Sequence, residues 1–340
     1  MRIVLDGMGG DHAPEEIVKG AVAAAESIED EIFIVGEPEA INAQLKKCKY
    51  KGDQISVVPA HDVITMHDSP VKAIRHKPDS SLVVGLNMVK DGKGDMFVSA
   101  GNTGALIVGS RLILGRIRGI DRPALASIYP DMTGGDPCML VDAGASSESK
   151  ARNLLEYGLM GSIYVEKVWG RNKPRVGLVN LGAEESKGTS VTKDAYQMLA
   201  ASKLNFIGNV EGREVLLGGV DVVVCDGFSG NVLLKTIEGT AMFMGSLLKR
   251  MFKKNIFSKV GYLLCKSGVS DLMKMMDYRE IGGTQFLGIK KPVIKAHGSS
   301  DTLAFRNAIR QAEEAAKADF SAELEESLKA LAAAKEKTDD

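Results

Sequence analysis

The sequence has few of the features that mark disulfide-stapled, secreted or membrane-spanning proteins. Its four cysteines, Cys48, Cys138, Cys225 and Cys265, are far apart and form no CxxC pair, which argues against a zinc motif and a disulfide framework. No run of about 18 uncharged apolar residues occurs, so we expect no membrane-spanning helix. A strand-like segment starts at Arg2, so we expect no signal peptide and predict a cytoplasmic protein.

The usual nucleotide-binding and acyl-enzyme motifs are also missing. The chain has neither GxxxxGKS/T nor GxGxxG, so it carries no P-loop and no dinucleotide fingerprint. It has no GxSxG elbow and no Cys–His pair that the spacing would justify, which leaves covalent acyl-enzyme chemistry unsupported. Its carboxylates do not cluster as hard-cation ligands do, so we predict neither a metal nor a cofactor.

Charge is balanced and glycine is abundant. The 340 residues include 43 Lys and Arg against 44 Asp and Glu, which gives no reason to expect nucleic acid as a partner. The 37 glycines are what many strand-to-helix turns require.

Short β-branched runs alternate with helix-period stretches along most of the chain. The predicted strands are 3–6, 32–35, 55–58, 96–99, 125–128, 139–142, 176–180, 205–207, 220–225 and 292–296, and the clearest helices are 14–27, 81–90, 151–169, 192–202 and 302–318. This alternation predicts a single α/β unit over 1–340, with a mostly parallel, Rossmann-like sheet covered by helices on both faces. We also expect a surface helical tail over about 311–340.

A helical excursion over about 242–278 breaks this rhythm. From Lys249 to Lys274 it carries seven basic residues against Asp271 alone, a surplus of +6, beside large apolar residues at helical spacing. One interpretation is a helical hairpin at a dimer interface, and another is a basic amphipathic surface that contacts anionic lipid or an acidic partner. The residues expected to make membrane or partner contacts are Leu247, Leu248, Lys249, Arg250, Met251, Phe252, Lys253 and Lys254.

Five polar, glycine-rich loops follow predicted strands. Because ligands collect beyond the carboxyl ends of strands in a parallel sheet, we expect these loops to outline one site. The candidate substrate-binding residues in them are Asp6, Gly9, Gly10, Asp11, Asn180, Asp226, Gly227 and Gly230. The competing interpretation is structural, since aspartates near helix starts cap backbone N–H groups.

One of these loops, in the stretch FVSAGNTGA, is the best candidate for an anion site. It joins a buried strand to a helix start, where N–H groups converge on one point. Its candidate ligands are Ser99, Gly101, Asn102, Thr103 and Gly104. Two further residues are candidates for the chemistry: Lys187 as a point charge, and His297, which follows a strand beside Gly-Ser-Ser.

Six blocks of the sequence resemble the PlsX family of bacterial phosphate acyltransferases. They are 7–14 (GMGGDHAP), 99–105 (SAGNTGA), 119–123 (GIDRP), 206–213 (FIGNVEGR), 221–231 (DVVVCDGFSGN) continued by 234–239 (LKTIEG), and 296–301 (AHGSSD), so the resemblance extends from residue 1 to about 318. It implies transfer of an acyl group from acyl-[acyl-carrier protein] to inorganic phosphate in the first steps of phospholipid synthesis. It also implies a fold similar to those of phosphotransacetylases and isopropylmalate-type dehydrogenases.

The resemblance implies partners and roles as well. Family members are soluble homodimers that associate peripherally with the membrane and pass acyl phosphate to the glycerol-3-phosphate acyltransferase PlsY. The anion at Gly101–Gly104 would then be orthophosphate, and Asn231 would be a donor to the tetrahedral oxyanion. The chain departs from the family pattern at 142–146 (DAGAS) and at 282–288 (GGTQFLG), where Thr284 and Gln285 replace Ala-Pro near the expected path of the acyl or pantetheine group.

Several alternatives remain open at this point. The acyl donor is either a carrier-protein thioester or a coenzyme A thioester, and a non-catalytic membrane or carrier-binding scaffold is a third reading. An acidic carrier protein requires a basic docking surface. The two candidate surfaces are the arginines Arg111, Arg116, Arg118 and Arg122, and the basic run 249–254.

Overall fold

The computed structural model describes residues 1–131, 134–275, 277–318 and 323–329. Within these residues eleven strands form one mixed sheet. The strands are β1 (Arg2–Asp6), β2 (Glu31–Gly36), β3 (Ile55–Pro59), β4 (Met96–Ser99), β5 (Ala124–Tyr129), β6 (Cys138–Val141), β7 (Arg175–Val179), β8 (Asn205–Val210), β9 (Val222–Val224), β10 (Gly283–Leu287) and β11 (Val293–Ala296). Ten of them fall where the sequence predicts a strand, and β10 was not predicted.

The helices surround this sheet. They are α1 (Glu15–Ala25), α2 (Pro38–Lys47), α3 (Pro70–His76), α4 (Ser81–Lys90), α5 (Thr103–Gly109), α6 (Ala151–Trp169), α7 (Ser190–Ala200), α8 (Gly227–Lys253), α9 (Ile256–Met275), α10 (Tyr278–Ile281) and α11 (Thr302–Ala318). A π-helical turn, Ser110–Leu114, extends α5, and a 3-10 helix covers Gly212–Leu216. Residues 323–329 are also helical.

The strand order is β3-β2-β1-β4-β11-β10-β5-β6-β9-β7-β8, and most neighbours are parallel. Three pairings are antiparallel: β10 with β11, β10 with β5, and β5 with β6. Strands β6, β9, β7 and β8 therefore run opposite to β1, β4 and β11. We call the edge at the carboxyl ends of β1, β4 and β11 the first edge, and the edge at the carboxyl ends of β6, β7 and β9 the second edge.

This reversal makes one prediction wrong: the five glycine-rich loops do not share an edge. The loops after β1 and β4 lie at the first edge, whereas the loops after β6, β7 and β9 lie at the second. The reason is the antiparallel pairing of β5 with β6: β10 is antiparallel to both of its neighbours, so β5 still runs in the same direction as β11, and the direction changes at β6. The predicted fold class is confirmed, because the sheet is mostly parallel and helices pack on both of its faces.

Two helical layers cover the sheet. One face carries α4, α5 and the first turns of α8, whose Leu233 and Ile237 pack against a core that contains Phe97 and Phe286. The opposite face carries α6 and α7 over one half and α1 and α11 over the other. A large apolar side chain such as Phe97, which is fully buried, contributes about 1.5–3 kcal/mol to folding.

Helix α8 connects the two edges. It starts at the second edge, where Gly227 and Gly230 touch the loop after β6. Glu238 acts electrostatically on His297 at the first edge, and the distance from Gly227 to Glu238 along the helix is roughly 16 Å.

Beyond that point α8 and α9 form a hairpin with little cover. Of the residues of α8 only Gly227 and Gly230 are buried, and α9 has no buried residue. None of the helices in the described ranges combines the length and the apolar character that a bilayer-spanning segment needs.

The predicted surface tail differs from the structure at its start. Gln311, Ala312 and Ala315 belong to α11 and are buried against the sheet. Small alanines give this helix a flat apolar face, which allows close packing. Residues 319–322 and 330–340 of the predicted tail lie outside the described residues.

Candidate active site

Three loops meet at the first edge, after β1, β4 and β11. The Asp11 N–H donates to the carbonyl of Gly298 at 2.8 Å, which ties the first loop to the third. Gly10 has φ +109°, and a Cβ there would lie 3.0 Å from the Cβ of Ala100 and 3.1 Å from the Gly298 oxygen. Only glycine combines that backbone conformation with such close contact on two sides. The loops therefore form one assembly.

A buried carboxylate organises this assembly from below. Asp6 accepts hydrogen bonds from Ser81 Oγ at 2.6 Å and from Ser99 Oγ at 2.7 Å. Ser99 Oγ in turn accepts the Gly101 N–H at 3.0 Å. Burial raises the pKa of Asp6, and the hydroxyl hydrogen bonds oppose that rise. Ser99 and the Gly101 N–H thus hold the turn in place, and their hydrogen-bonding capacity is used internally.

Asn102 is likewise engaged on both sides of its amide. Its Oδ1 accepts the Ala105 N–H at 3.0 Å and caps α5, while its Nδ2 donates to the Thr65 carbonyl at 3.0 Å. The first intrahelical bond runs from the Leu106 N–H to the Asn102 carbonyl. The N–H groups of Thr103 and Gly104 precede it, and they are the donors that the first turn offers to an anion.

Basic side chains lie at the same edge of the sheet as this turn. Lys295, at the end of β11, is buried, and its Nζ donates to the Ala100 carbonyl at 3.3 Å and to the Ala296 carbonyl. His297 Nδ1 lies 2.8 Å from Ser299 Oγ. Desolvation lowers the pKa of His297, and the positive charges of Lys235 on α8 and of Lys295 lower it further, so the imidazole is neutral at pH 7.

The loops at the second edge have structural roles in this chain. The Asp142 carboxylate accepts N–H groups from Leu125, Gly144, Ala145 and Ser146 at 2.8–3.0 Å. Asp226 caps α8 by accepting the Ser229 N–H at 3.0 Å.

The glycines Gly227 and Gly230 allow close approach at this edge. Added Cβ atoms there would lie 2.1 Å from the Ser146 carbonyl oxygen and 1.8 Å from the Asp142 carbonyl oxygen. Asn231 is exposed beside Gly144.

The three residues that the sequence suggests for catalysis are not brought together within one chain. His297 lies at the first edge, whereas Asn231 and Lys187 lie at the second. Lys187 is exposed, and its carbonyl accepts a hydrogen bond from Asn180 Nδ2 at 3.2 Å. The sequence does not show this separation, since it depends on the antiparallel pairing of β5 with β6.

The two candidate docking surfaces also separate. Arg116 bonds the carbonyl of Asp121, and Arg122 donates to the Glu148 carbonyl at 2.5 Å, in the segment that leads into β5 at the second edge. Arg111 and Arg118 are exposed. The basic hairpin, in contrast, extends from the first edge, on the side of the anion turn.

Thr284 and Gln285, which depart from the Ala-Pro of the family pattern, have different environments. Gln285 is fully buried, and its strand neighbour Leu287 packs on the face covered by α6. This side chain does not lie on an open substrate path, contrary to the sequence-based expectation. Thr284 alternates to the other face and pairs with Lys295 across the strands.

Sequence reasoning missed Lys235 and Lys295 as members of the site. The available signals were modest: Lys295 is the last residue but one of a predicted strand and lies two residues before His297, and Lys235 lies in the LKTIEG block.

Comparison with known proteins gives a consistent identification. A family model described as "Fatty acid synthesis protein" matches residues 1–323. The phosphate acyltransferase of Alkaliphilus oremlandii is 52% identical over 312 residues, 92% of each chain, and that of Thermoanaerobacterium thermosaccharolyticum is 47% identical, covering 97% of this chain and 98% of its own.

Among solved structures the fold resembles a phosphotransacetylase from Streptococcus pyogenes, with a TM-score of 0.63 at 18% identity over 94% of each chain. A 4-hydroxythreonine-4-phosphate dehydrogenase from Klebsiella pneumoniae matches with a TM-score of 0.51 at 13% identity, over 93% of this chain and 98% of its own. These similarities show the fold. Because the family model and the relatives cover nearly the whole chain, the protein belongs to the PlsX family of phosphate acyltransferases and is an acyltransferase.

Proposed function

We propose that this enzyme transfers a fatty acyl group from acyl-[acyl-carrier protein] to orthophosphate at the first edge, and that its acyl phosphate product serves phospholipid synthesis. The observation that carries the proposal is that the loops after β1, β4 and β11 form one assembly at the edge where the Thr103 and Gly104 N–H groups lie, with Lys295 bonded to the Ala100 carbonyl and the charge of Lys235 acting on His297. Membership of the phosphate acyltransferase family supports the same reaction. The shared fold with a phosphotransacetylase is consistent with it.

The proposed step needs orientation more than activation. Orthophosphate held at the turn attacks the thioester carbonyl carbon through one oxygen, a C–O bond forms, and the C–S bond breaks. The thiolate leaves on the carrier and takes up a proton. Orientation of the two reactants contributes at most about 7–11 kcal/mol to lowering the barrier.

Neutral His297 supplies a hydrogen-bonding group and Lys235 a positive charge near the reacting oxygens. Asn231 and Lys187 receive no role in this step, because they lie at the second edge.

The defining experiment measures orthophosphate-dependent thiol release and acyl phosphate formation by the purified enzyme, with acyl-[acyl-carrier protein] and acyl-coenzyme A supplied separately. We expect turnover with the carrier-protein donor at the higher kcat/KM. A higher value with coenzyme A would reassign the donor. Thiol release that does not depend on orthophosphate would refute the proposed reaction.

We further propose that the hairpin is the surface for docking of the acidic carrier, since its basic residues extend from the edge that holds the anion turn. Lys249, Arg250, Lys253 and Lys254 lie on its α8 arm or directly after it. Reversing these four charges should raise the KM for the acyl carrier and weaken its salt dependence, leaving the phosphate KM unchanged. The matched control reverses Arg111 and Arg118, the exposed arginines of the other candidate surface.

The tip of the hairpin is proposed to rest on the membrane, where the product is passed to PlsY. Phe257 and Leu264 on α9 are each 82% exposed, which is costly in water unless lipid or a second chain covers them. The paired substitutions Phe257→Glu and Leu264→Glu should abolish flotation with anionic vesicles.

We also propose that the hairpin pairs two copies of the chain in a homodimer, and sedimentation of the same double variant tests this. A variant that becomes monomeric and still floats with vesicles would show that the exposed apolar residues serve only dimerisation.

A further inference from the structure

A row of polar side chains crosses the middle of the sheet at the first edge. Five neighbouring strands, β1, β4, β11, β10 and β5, each contribute one member at or near the end of the strand at that edge. Their pairing registers place the members side by side in the order Asp6, Ser99, Lys295, Thr284 and Ser127. A run of polar residues through the centre of an otherwise apolar sheet is a costly arrangement unless it is used.

All five members project from the same face of the sheet. Side chains alternate along a strand, and the residues two positions before Ser99, Lys295 and Ser127 belong to the apolar cluster against which α8 packs. The row therefore lies on the face covered by α8, the helix that carries Lys235. The anion turn follows directly after Ser99.

Lys295 is the central member and the only basic one. It is 9% exposed, and two of its three N–H donors are used by the carbonyls of Ala100 and Ala296, which start the second and third loops. Asp6 accepts hydrogen bonds from two hydroxyls instead of forming an ion pair with this ammonium. A buried ammonium held mainly by neutral carbonyls is poorly compensated, so an additional anion above it would be stabilising.

We propose that Lys295 is a positioning residue that supplies the buried positive charge for orthophosphate at the Thr103–Gly104 turn. The inference rests on the proposed function and adds to it a residue that neither the motif blocks nor the loop geometry assigns. Lys295 fixes the turn through the Ala100 carbonyl and offsets the negative charge of the bound phosphate. Thr284, where the family pattern has alanine, adds a hydroxyl next to it in this chain.

A pH dependence follows from the surroundings of this lysine. Burial, together with the positive charge of Lys235, lowers the pKa of Lys295 to about 8, although the negative charges of Asp6 and Asp11 oppose the fall. His297, two residues on, and Glu238 on α8 are the other titratable groups near the site. As pH rises through 8, Lys295 loses its charge and orthophosphate loses its counter-charge. Orthophosphate itself becomes more negative over the same pH range, which would strengthen its binding to a site of constant positive charge. Weaker binding at high pH therefore indicates a loss of positive charge on the protein.

The test measures the orthophosphate KM from pH 6.5 to 9, and orthophosphate binding by calorimetry, in wild type, Lys295→Met and Lys295→Arg. We expect Lys295→Met to raise the orthophosphate KM by about tenfold or more at pH 7 and to flatten its rise above pH 8, with the acyl-donor KM little changed. Lys295→Arg should restore much of the affinity and move the rise to higher pH, since arginine stays charged. Lys291→Met removes an exposed charge at the other end of β11 and serves as the matched control.

The possible results separate the two proposals. An orthophosphate KM for folded Lys295→Met within twofold of wild type overturns the inference. If Lys295→Met does not fold, a Lys295→Arg enzyme with an unshifted pH profile overturns it, and a shifted profile supports it. The wild-type enzyme could bind orthophosphate more tightly than Lys295→Met and still form no acyl phosphate. That result refutes the proposed reaction but supports the role of Lys295 in orthophosphate binding. A wild type that does not bind orthophosphate refutes both.

Discussion

Replacing Asn102 tests how the anion turn is held. In Asn102→Ala the hydrogen bonds of the amide disappear, and the two shortest of them are the cap on Ala105 at 3.0 Å and the link to the Thr65 carbonyl at 3.0 Å. Loss of an N-cap costs about 0.5–2 kcal/mol. Loss of the second hydrogen bond costs about 0.5–1.5 kcal/mol. We therefore expect the free energy of unfolding to fall by roughly 1–3.5 kcal/mol in total.

Asn102→Ser separates the two contributions. Serine is a good N-cap but is too short to reach Thr65, so this variant should recover about 1 kcal/mol relative to Asn102→Ala. The orthophosphate KM should remain raised in both variants, because the segment around Thr65 has lost its tether to the turn.

Urea unfolding followed by circular dichroism gives the stabilities, and phosphate-dependent thiol release gives the KM. If Asn102→Ala unfolds at the same urea concentration as wild type, the hydrogen bonds of the Asn102 amide do not stabilise the fold. A wild-type KM in Asn102→Ser would show that the tether does not position the phosphate.

Two further predictions concern packing and charge away from the turn. Gly230→Ala would place a Cβ 1.8 Å from the Asp142 carbonyl oxygen, so we expect a loss of about 3 kcal/mol or more in urea unfolding. Gly239 lies in the same helix, and a Cβ added there would have no neighbour within 4 Å. Gly239→Ala should therefore raise the free energy of unfolding by about 0.5–1 kcal/mol. Equal effects of the two substitutions would refute the packing argument. Burial alone would raise the pKa of Asp221, but hydrogen bonds and charge from Arg175 outweigh it and hold that pKa below its usual value. The stabilisation by the Asp221 carboxylate is thus present at neutral pH and lost as pH falls below about 4. Asp221→Asn should therefore lower the free energy of unfolding at pH 7 and make it depend less on pH in the acid range. An unchanged dependence of the unfolding free energy on acid pH would contradict this.

The sequence predicts the outer strands and most helices well, because each has a periodic pattern of its own. It fails at β10, whose GTQFL has glycine before it and neither long alternation nor a turn signature. The reversal of β6, β7 and β9 arises elsewhere, at the antiparallel pairing of β5 with β6, and local patterns do not reveal it, since strand direction follows from how segments pair and not from local propensity. The placement of Lys187 and Asn231 at the second edge could not be predicted for this reason.

The anion turn itself was recognisable, but the roles of its side chains were not. A strand, a glycine corner and a helix start are visible in SAGNTGA, and they predict converging N–H groups. Whether Asn102 offers its amide to a ligand or to Ala105 and Thr65 depends on a loop 37 residues earlier in the chain. Lys295 was overlooked for a related reason, because its position in the polar row depends on three strands from distant parts of the sequence.

The order of the strands has a consequence for how the protein is made. The last two strands in the described part of the chain, β10 and β11, occupy the centre of the sheet, between β4 and β5. Until residues 283–296 have been synthesised, the earlier strands can form only two separate half-sheets, each with an open apolar edge where its neighbour is missing. A ribosome-bound chain that stops short of β10 should therefore contain two aggregation-prone half-sheets that bind chaperones. Completion of the C-terminal segment should join the two half-sheets in one step.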